Sequence, residues 1–277
     1  MLNSQKRRFP ARAVAGIAWT APHPLNIPQL HADNVTAGTH ISPGNGIELQ
    51  HGPYAGRLLN VLILESSNVL DVVIYSDDTG QTWMMSQTPL PHNGEAQLAE
   101  VRTADGGSSI LFNGRSRLPV NGNKMAYPRG IAWSYDGGET FADIRFATDL
   151  SAGTSCLASV LSAAQHPVGI GASEFGPDVA NTSLLFSHPT HGHRSQGVLL
   201  RSDDNAETWQ LLGSATPEDP RAMFAYSNLN SLPSQNSPDP SEKDAKLAQK
   251  LGQQLLQPFI AVFPQKRMGQ LAYFGPT

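Results

Sequence analysis

The sequence predicts an all-β fold made of repeated units, read as blades of a β-propeller, and three observations carry that prediction. First, an eight-residue pattern occurs three times: Ser76-Asp77-Asp78-Thr79-Gly80-Gln81-Thr82-Trp83, Ser134-Tyr135-Asp136-Gly137-Gly138-Glu139-Thr140-Phe141 and Ser202-Asp203-Asp204-Asn205-Ala206-Glu207-Thr208-Trp209. The shared form is Ser-x-Asp-x-Gly-x-Thr-aromatic, with Ala206 in the glycine place of the third copy. Second, the copies return at intervals of about sixty residues, as expected of a supersecondary unit that must stack on its neighbours to bury its apolar face. Third, strand-like apolar runs precede each copy, at 70–75, 130–133 and 197–201, so each copy reads as the turn of a β-hairpin.

Turn chemistry explains the spelling. Asp and Ser side chains bond nearby backbone groups of a tight turn, and Gly takes the positive φ that the turn requires. The aromatic then returns to the apolar interior, where it buries a large area. The Asp residues of the repeats are therefore read as structural, not as a carboxylate site.

The chain has 277 residues, 39% hydrophobic and 15% charged, which suits one large β domain spanning 1–277 rather than a disordered chain. A formal net charge of −4 disfavours a nucleic-acid partner. The single cysteine, Cys156, excludes an intrachain disulfide framework. No run approaches the ~20 apolar residues of a membrane span. The basic start, Met1 to Arg8, is not followed by an apolar signal core. The chain as given thus reads as soluble with no signal peptide, and its compartment is left open.

Along the chain, Gly16-Ile17-Ala18-Trp19-Thr20 looks like the back half of a further repeat, so the chain is expected to begin inside a blade. Further strand-like runs lie at 47–50, 58–64, 101–102, 109–112, 160–162 and 183–187. Beyond Tyr226 the composition changes. Residues 228–241 are rich in Ser, Asn and Pro and read as a loop. Ser241-Glu242-Lys243-Asp244 resembles a capped helix start, and Leu247, Leu251 and Leu255 follow at helical spacing. A short C-terminal helix is expected near 241–257, and a closing hairpin from 259–263 and 270–274.

The segments between the repeats carry a more specific pattern. Ser42-Pro43-Gly44-Asn45-Gly46-Ile47-Glu48-Leu49 and Gly56-Arg57-Leu58-Leu59 precede the first repeat. Gly94-Glu95-Ala96-Gln97-Leu98-Ala99-Glu100, Asn113-Gly114-Arg115-Ser116 and Arg129-Gly130-Ile131-Ala132-Trp133-Ser134 follow it. Then come Leu185-Phe186-Ser187-His188-Pro189-Thr190, Arg194 and Ala225-Tyr226-Ser227-Asn228-Leu229. In this order and spacing, from about Gly16 to about Leu229, the chain resembles the sialidase (neuraminidase) family, whose repeats are known as Asp-boxes or BNR repeats.

The resemblance implies a six-bladed β-propeller of sialidase type, here incomplete at the N-terminus. It also implies an exo-α-sialidase that removes terminal sialic acid from glycoproteins, gangliosides or oligosaccharides, with no cofactor and no metal. Such enzymes stand outside the two-carboxylate rule of glycosidases and use a Tyr nucleophile. Sialic acid carries a carboxylate on its anomeric carbon, which would repel an anionic nucleophile; a phenol approaches neutral and attacks once a base takes its proton. By resemblance Tyr226 is that phenol and Glu95 the base, in a retaining mechanism. Arg115 and Arg194 match two of the three arginines that clamp the substrate carboxylate, a task suited to the guanidinium fork. Only Arg8, in Arg8-Phe9-Pro10, has the shape of the first, and it lies closer to Trp19 than the family pattern allows. The family's acid/base Asp, which follows that first arginine, has no match; Asp33 sits in the wrong context. A Glu common after the Tyr strand is absent from 259–274.

Each assignment has rivals. Glu100 and Glu174 compete with Glu95, and Arg117 and Arg129 with Arg115. His188, His191 and His193 are read as a polar loop beside Arg194 rather than as metal ligands. The alternative to an active sialidase is a catalytically impaired, sialidase-like propeller that binds glycans without turning them over.

Overall fold

The computed structural model describes residues 25, 27–29, 39–65, 69–91, 94–103, 105–116, 127–152, 156–163, 183–191, 194–216, 224–225, 227–231 and 260–262. Over these residues the protein is all-β. Helical geometry is confined, among the described residues, to a 3-10 turn at Gly52–Tyr54 and two residues at 28–29. No helix among them is long and apolar enough to cross a membrane.

The first sheet holds β1 (Thr39–Ile41), β2 (Ile47–Glu48), β3 (Leu58–Glu65), β4 (Val69–Ser76), β5 (Met84–Met85) and β6 (Leu90–Pro91). β1 and β2 share one edge of β3, and β5 and β6 share the far edge of β4, so this sheet also has four strand positions. The second sheet is β7 (Ala96–Arg102), β8 (Ser108–Arg115), β9 (Tyr127–Ser134) and β10 (Ala142–Ala152). The third is β11 (Ser159–Ala163), β12 (Ser183–His191), β13 (Ser195–Ser202) and β14 (Gln210–Ser214). Both are antiparallel meanders in chain order. A last pair, β15 (Leu229–Ser231) and β16 (Ile260–Val262), is also antiparallel. Residues 260–262, expected to open a hairpin with 270–274, thus pair with 229–231. The half-repeat at 16–20, the helix expected near 241–257 and residues 270–274 lie outside the described residues.

The sheets stack face to face. Leu59, Val61 and Val73 of the first sheet meet Leu98, Ile110 and Phe112 of the second in one apolar cluster. Val101, Leu111, Ile131 and Trp133 of the second meet Val160, Leu184 and Phe186 of the third in another. Leu185 and Leu199 then meet Phe224 and Leu229, which lead into β15. Strands covered on both faces read as near-continuous apolar runs rather than as alternation. That is the character of residues 58–64 and 109–112. The described sheets do not close a ring.

All three repeats join the third and fourth strand positions of a sheet. In each, the Ser hydroxyl donates to the Asp two residues on, at 2.7, 2.9 and 2.8 Å for Ser76, Ser134 and Ser202. The same hydroxyl accepts the backbone N–H of Gly80, Gly138 or Ala206. The Asp carboxylate accepts both the N–H and the hydroxyl of Thr82, Thr140 or Thr208. These bonds, led by those from Thr82, hold the Asp78 carboxyl down to about 2. Burial opposes the same effect at Asp136 and Asp204, yet the bonds still lower both. Gly80 and Gly138 have φ of 88° and 94°, and Ala206 adopts φ 63° at the same place. The aromatics behave as expected: Phe141 is buried against Phe112, and Trp209 lies 5.5 Å from Phe186.

One buried cation fastens the first repeat to the second. Arg57 forks onto Asp77 at 2.7 and 2.9 Å and reaches Glu139 at 3.1 Å and the Gly137 carbonyl at 3.0 Å. Its guanidinium lies 4.4 Å from the rings of both Tyr54 and Tyr75. Burial works against its charge, but the bonds to Asp77 and Glu139 outweigh that and raise its pKa.

Candidate active site

The register of β7 and β8 sets the first pair of candidate residues. Glu95 directly precedes β7, and Arg115 ends β8 opposite it, since Ala96 faces Gly114. The Arg115 N–H donates to the Glu95 carbonyl at 3.1 Å, and Arg115 Nη1 donates to Glu95 Oε2 at 2.5 Å. Both side chains are half-buried, 23% and 19% exposed, so this ion pair opens to solvent on one side. Ser42, from the first sheet, holds the same strand start: its Oγ donates to the Ala96 carbonyl and accepts the Ala96 N–H, both at 2.7 Å. Two residues on, a Cβ at Gly44 would come within 2.3 Å of Gln97 Cγ and 2.6 Å of the Ala96 carbonyl. The Ser42-Pro43-Gly44 stretch is therefore a close-packed brace for Glu95.

Arg194 lies in the connection between β12 and β13, at φ 55°. Its carbonyl accepts the N–H of Phe224 at 2.6 Å. The Phe224 ring is seated on Gly197, where a Cβ would meet ring atoms at 2.3–2.6 Å. Ser227 is bonded to Ser187, Oγ to Oγ at 2.6 Å and Ser227 Oγ to the Ser187 carbonyl at 3.1 Å. The Leu229 N–H donates to Ser159 Oγ at 2.8 Å. Tyr226 itself, like Arg8, lies outside the described residues, but both its flanks are tied to the third sheet.

These two groups are linked through the starts of β7, β11 and β15, the first strands of their sheets. Ser159 opens β11, and its hydroxyl donates to Gln97 Oε1 in β7 at 2.8 Å; the Val160 N–H donates to the same oxygen at 2.9 Å. Asn45 and Asn228 exchange a pair of side-chain amide bonds, both at 3.0 Å, between the first sheet and the approach to β15. The strand starts near Glu95, Ser159 and Leu229 thus lie together, at the ends of the sheets opposite the repeat turns.

Comparison with known proteins follows the same direction. No protein-family model matches the chain. Over 196 residues the chain is 28% identical to a sialidase of Micromonospora viridifaciens, covering 69% of this chain and 26% of that one. The chain is a sialidase homologue. Among solved structures it is similar to the leech intramolecular trans-sialidase, with a TM-score of 0.52 at 19% identity over 85% of this chain and 30% of that one. A Hadza microbial sialidase gives a TM-score of 0.49 at 24% identity, over 69% and 33% of the two chains. The leech likeness concerns the fold alone. The chain spans about a quarter of the length of the curated sialidase it matches.

Geometry separates the rivals within this sialidase homologue. Glu100 has its carboxylate committed to backbone, accepting the N–H groups of Gln50 at 2.8 Å and His51 at 3.0 Å. Arg129 faces Arg115 across β8 and β9 but is 1% exposed. Its guanidinium donates to Asn113 Oδ1 at 2.7 Å, to the Asn113 carbonyl at 3.4 Å and to the Cys156 carbonyl at 3.0 Å. Burial brings its pKa down to about 10, still charged at neutral pH. Arg115 is therefore the member of the pair that solvent reaches, and Arg129 is internal. Arg117 and Glu174 lie outside the described residues. His188 is buried against Phe186, with ring centroids 4.9 Å apart and Nδ1–H donating to the Pro189 carbonyl at 2.8 Å. Desolvation pulls its pKa down to about 4, with the field of Arg129 adding to the effect. His193 and the side chain of His191 lie outside the described residues. Among those described, no three His, Cys, Asp or Glu side chains converge as metal ligands do.

Sequence reasoning named Ser42, Gln97 and Ser187 only within motifs and Gly197 only within a strand-like run, and it missed Ser159; the bracing role of all five is seen only in the structure. No local pattern marks a serine whose partner is 70 residues away. The Gly and Ser residues inside apolar runs, such as Ser187 and Gly197, were the available signal.

Proposed function

We propose that the chain is part of an exo-α-sialidase, a retaining glycoside hydrolase acting on terminal sialic acid of glycans, and that its sheets are blades of a six-bladed propeller. The observation that carries this reading is the gathering, at one end of the sheets, of the Glu95–Arg115 pair, Arg194 and the two anchored flanks of Tyr226. A partly exposed guanidinium beside a carboxylate gives a place for an anionic sugar and a proton acceptor within reach of it.

In this reading Arg115 and Arg194 hold the carboxylate of sialic acid by charge-assisted bonds. Glu95 takes the phenol proton of Tyr226 as the phenol oxygen attacks the anomeric carbon and the bond to the aglycone breaks. Water then attacks the anomeric carbon of the sialyl-tyrosine and gives its proton to the group that protonated the aglycone, while the phenol oxygen leaves and takes back the proton held by Glu95. Two inversions give net retention. The acid that protonates the aglycone and the first clamp arginine are not assigned; Arg8 alone has the sequence shape of the latter. The second reading, a sialidase-like glycan-binding propeller without turnover, follows from these two unassigned groups.

A fluorogenic aryl sialoside tests the proposal. Hydrolysis is expected, with loss in Tyr226→Phe and a fall of ~10²- to 10⁴-fold in kcat for Glu95→Gln. Sialoside binding with no hydrolysis by the wild-type chain would instead support the glycan-binding reading.

A further inference from the structure

We propose that Gln97 and Ser159 form a hydrogen-bonded relay that sets the Tyr226 segment against Glu95, which makes them positioning residues for the reaction proposed above; the inference rests on that reading for its kinetic consequence but not for its geometry. The relay is continuous. The Leu229 N–H, three residues after Tyr226, donates to Ser159 Oγ; Ser159 Oγ–H donates to Gln97 Oε1; and Gln97 is two residues after Glu95. All three residues are 2% exposed or less, so water does not compete for these bonds.

The direction of the Gln97 amide is fixed by its partners. Oε1 accepts from Ser159 and Val160, and turning the amide over would set N–H against both donors. Its Nε2 is buried and has no partner among the described residues. Leaving that N–H₂ unpaired is unfavourable, and an apolar residue of similar size would avoid it. What an apolar residue cannot do is accept from β11. The chemistry of the position is therefore that of a doubly used acceptor that couples β7 to β11. Ser159 extends the coupling to β15, because a hydroxyl both donates and accepts. Opposite it across the β11–β12 ladder, Ser187 takes Ser227 in the same way. Glu95 is held from the other side by Ser42 on Ala96. The two segments that would exchange a proton are thus registered to each other through side chains that touch neither substrate nor reacting atoms.

Two measurements on the full chain test this. The first is amide exchange at Leu229, which needs no activity. Ser159→Ala removes the acceptor directly and is expected to speed exchange at least tenfold. Gln97→Leu, which never touches Leu229, is expected to speed it as well, and Gln97→Glu, which keeps the acceptor oxygen, to restore protection. Wild-type protection of Leu229 in Gln97→Leu would overturn the relay. The second is hydrolysis of an aryl sialoside, counted per folded molecule. Misplacement of reacting groups by about 1 Å costs on the order of 10²-fold. We expect kcat to fall ~10- to 100-fold in Ser159→Ala and in Gln97→Leu, with KM within twofold of wild type and recovery in Gln97→Glu. The double variant should be no worse than the poorer single one, since both break the same relay. Losses that multiply, or a rise in KM at constant kcat, would contradict it. If Gln97→Leu fails to fold, Gln97→Met, which likewise lacks the amide oxygen, takes its place in both measurements. A wild-type chain without hydrolysis would count against the sialidase proposal, and the exchange experiment would still decide the relay.

Discussion

At the scale of single residues, what separates a site candidate from a bystander is which partners hold its polar atoms and whether solvent reaches them. Glu95 and Glu100 are alike in sequence, but Glu100 is bonded to two loop N–H groups while Glu95 is paired with a partly exposed guanidinium. Arg115 and Arg129 sit opposite each other on adjacent strands, and only burial tells them apart. Spacing in the sequence favoured Arg115 without giving that reason. Arg115→Ala is expected to weaken binding of sialic acid by ~10- to 100-fold, the size of a charge-assisted contact. Its effect on a neutral sugar should be small, and titration calorimetry with both ligands checks this. Equal losses would remove the clamp assignment. His188 offers a pH test. Its folded pKa, about 4, lies below the ordinary value near 6.5. The unfolded chain therefore binds the proton first, and stability is fully present above pH ~6.5 and falls as the pH drops towards 4. The loss is at most about 3 kcal/mol. Urea unfolding of wild type and His188→Phe between pH 7.5 and 4.5 should show that slope in wild type and a flatter one in the variant.

At the scale of elements, the repeat turns were the most legible part of the molecule, because the bonds that close each turn are local. The Ser, Asp and Thr side chains and the backbone N–H at the glycine place satisfy one another within eight residues. The carboxyl of Asp78 is held near 2, below its unfolded value of about 4. Its contribution is present above pH ~4 and is lost as the pH falls from there to about 2; Asp78→Asn should flatten the stability curve in that window. Asp136→Ala removes the acceptor of three hydrogen bonds and is expected to destabilise by about 2 kcal/mol. Less legible was what holds one element to the next. Arg57 was recognised only as part of a motif, yet it joins Asp77 to Glu139 across two repeats. Gly197 read as a strand residue, and its use appears only when Phe224 is laid on it. Gly197→Ala is expected to displace Phe224 at a cost of about 1–3 kcal/mol in stability. It should also lower hydrolysis, since Phe224, two residues before Tyr226 in the chain, is anchored to the Arg194 carbonyl. Thermal melts and sialoside turnover of that variant check both.

At the scale of the whole molecule, three stacked antiparallel sheets and the start of a fourth place the starts of β7, β11 and β15 at one end and the repeat turns at the other. The all-β class and the sialidase relationship were both legible before any coordinates, the first from local turn chemistry and the second from the order of the segments between turns. The belt that runs from Ser42 through Gln97 and Ser159 to Leu229 was not, because its bonds span 54 to 70 residues and leave no periodic trace. It is also what gives the functional proposal its physical content, for it ties Leu229, three residues after Tyr226, to the strand that follows Glu95. The most direct test is to trap the reaction on the chain itself. A sialosyl fluoride with a second fluorine beside the anomeric carbon slows release of a covalent sialyl-enzyme, and peptide mass spectrometry then locates the bond. The account predicts a sialyl adduct on Tyr226, absent in Tyr226→Phe; an adduct on Glu95, or hydrolysis with no adduct on Tyr226, would contradict it.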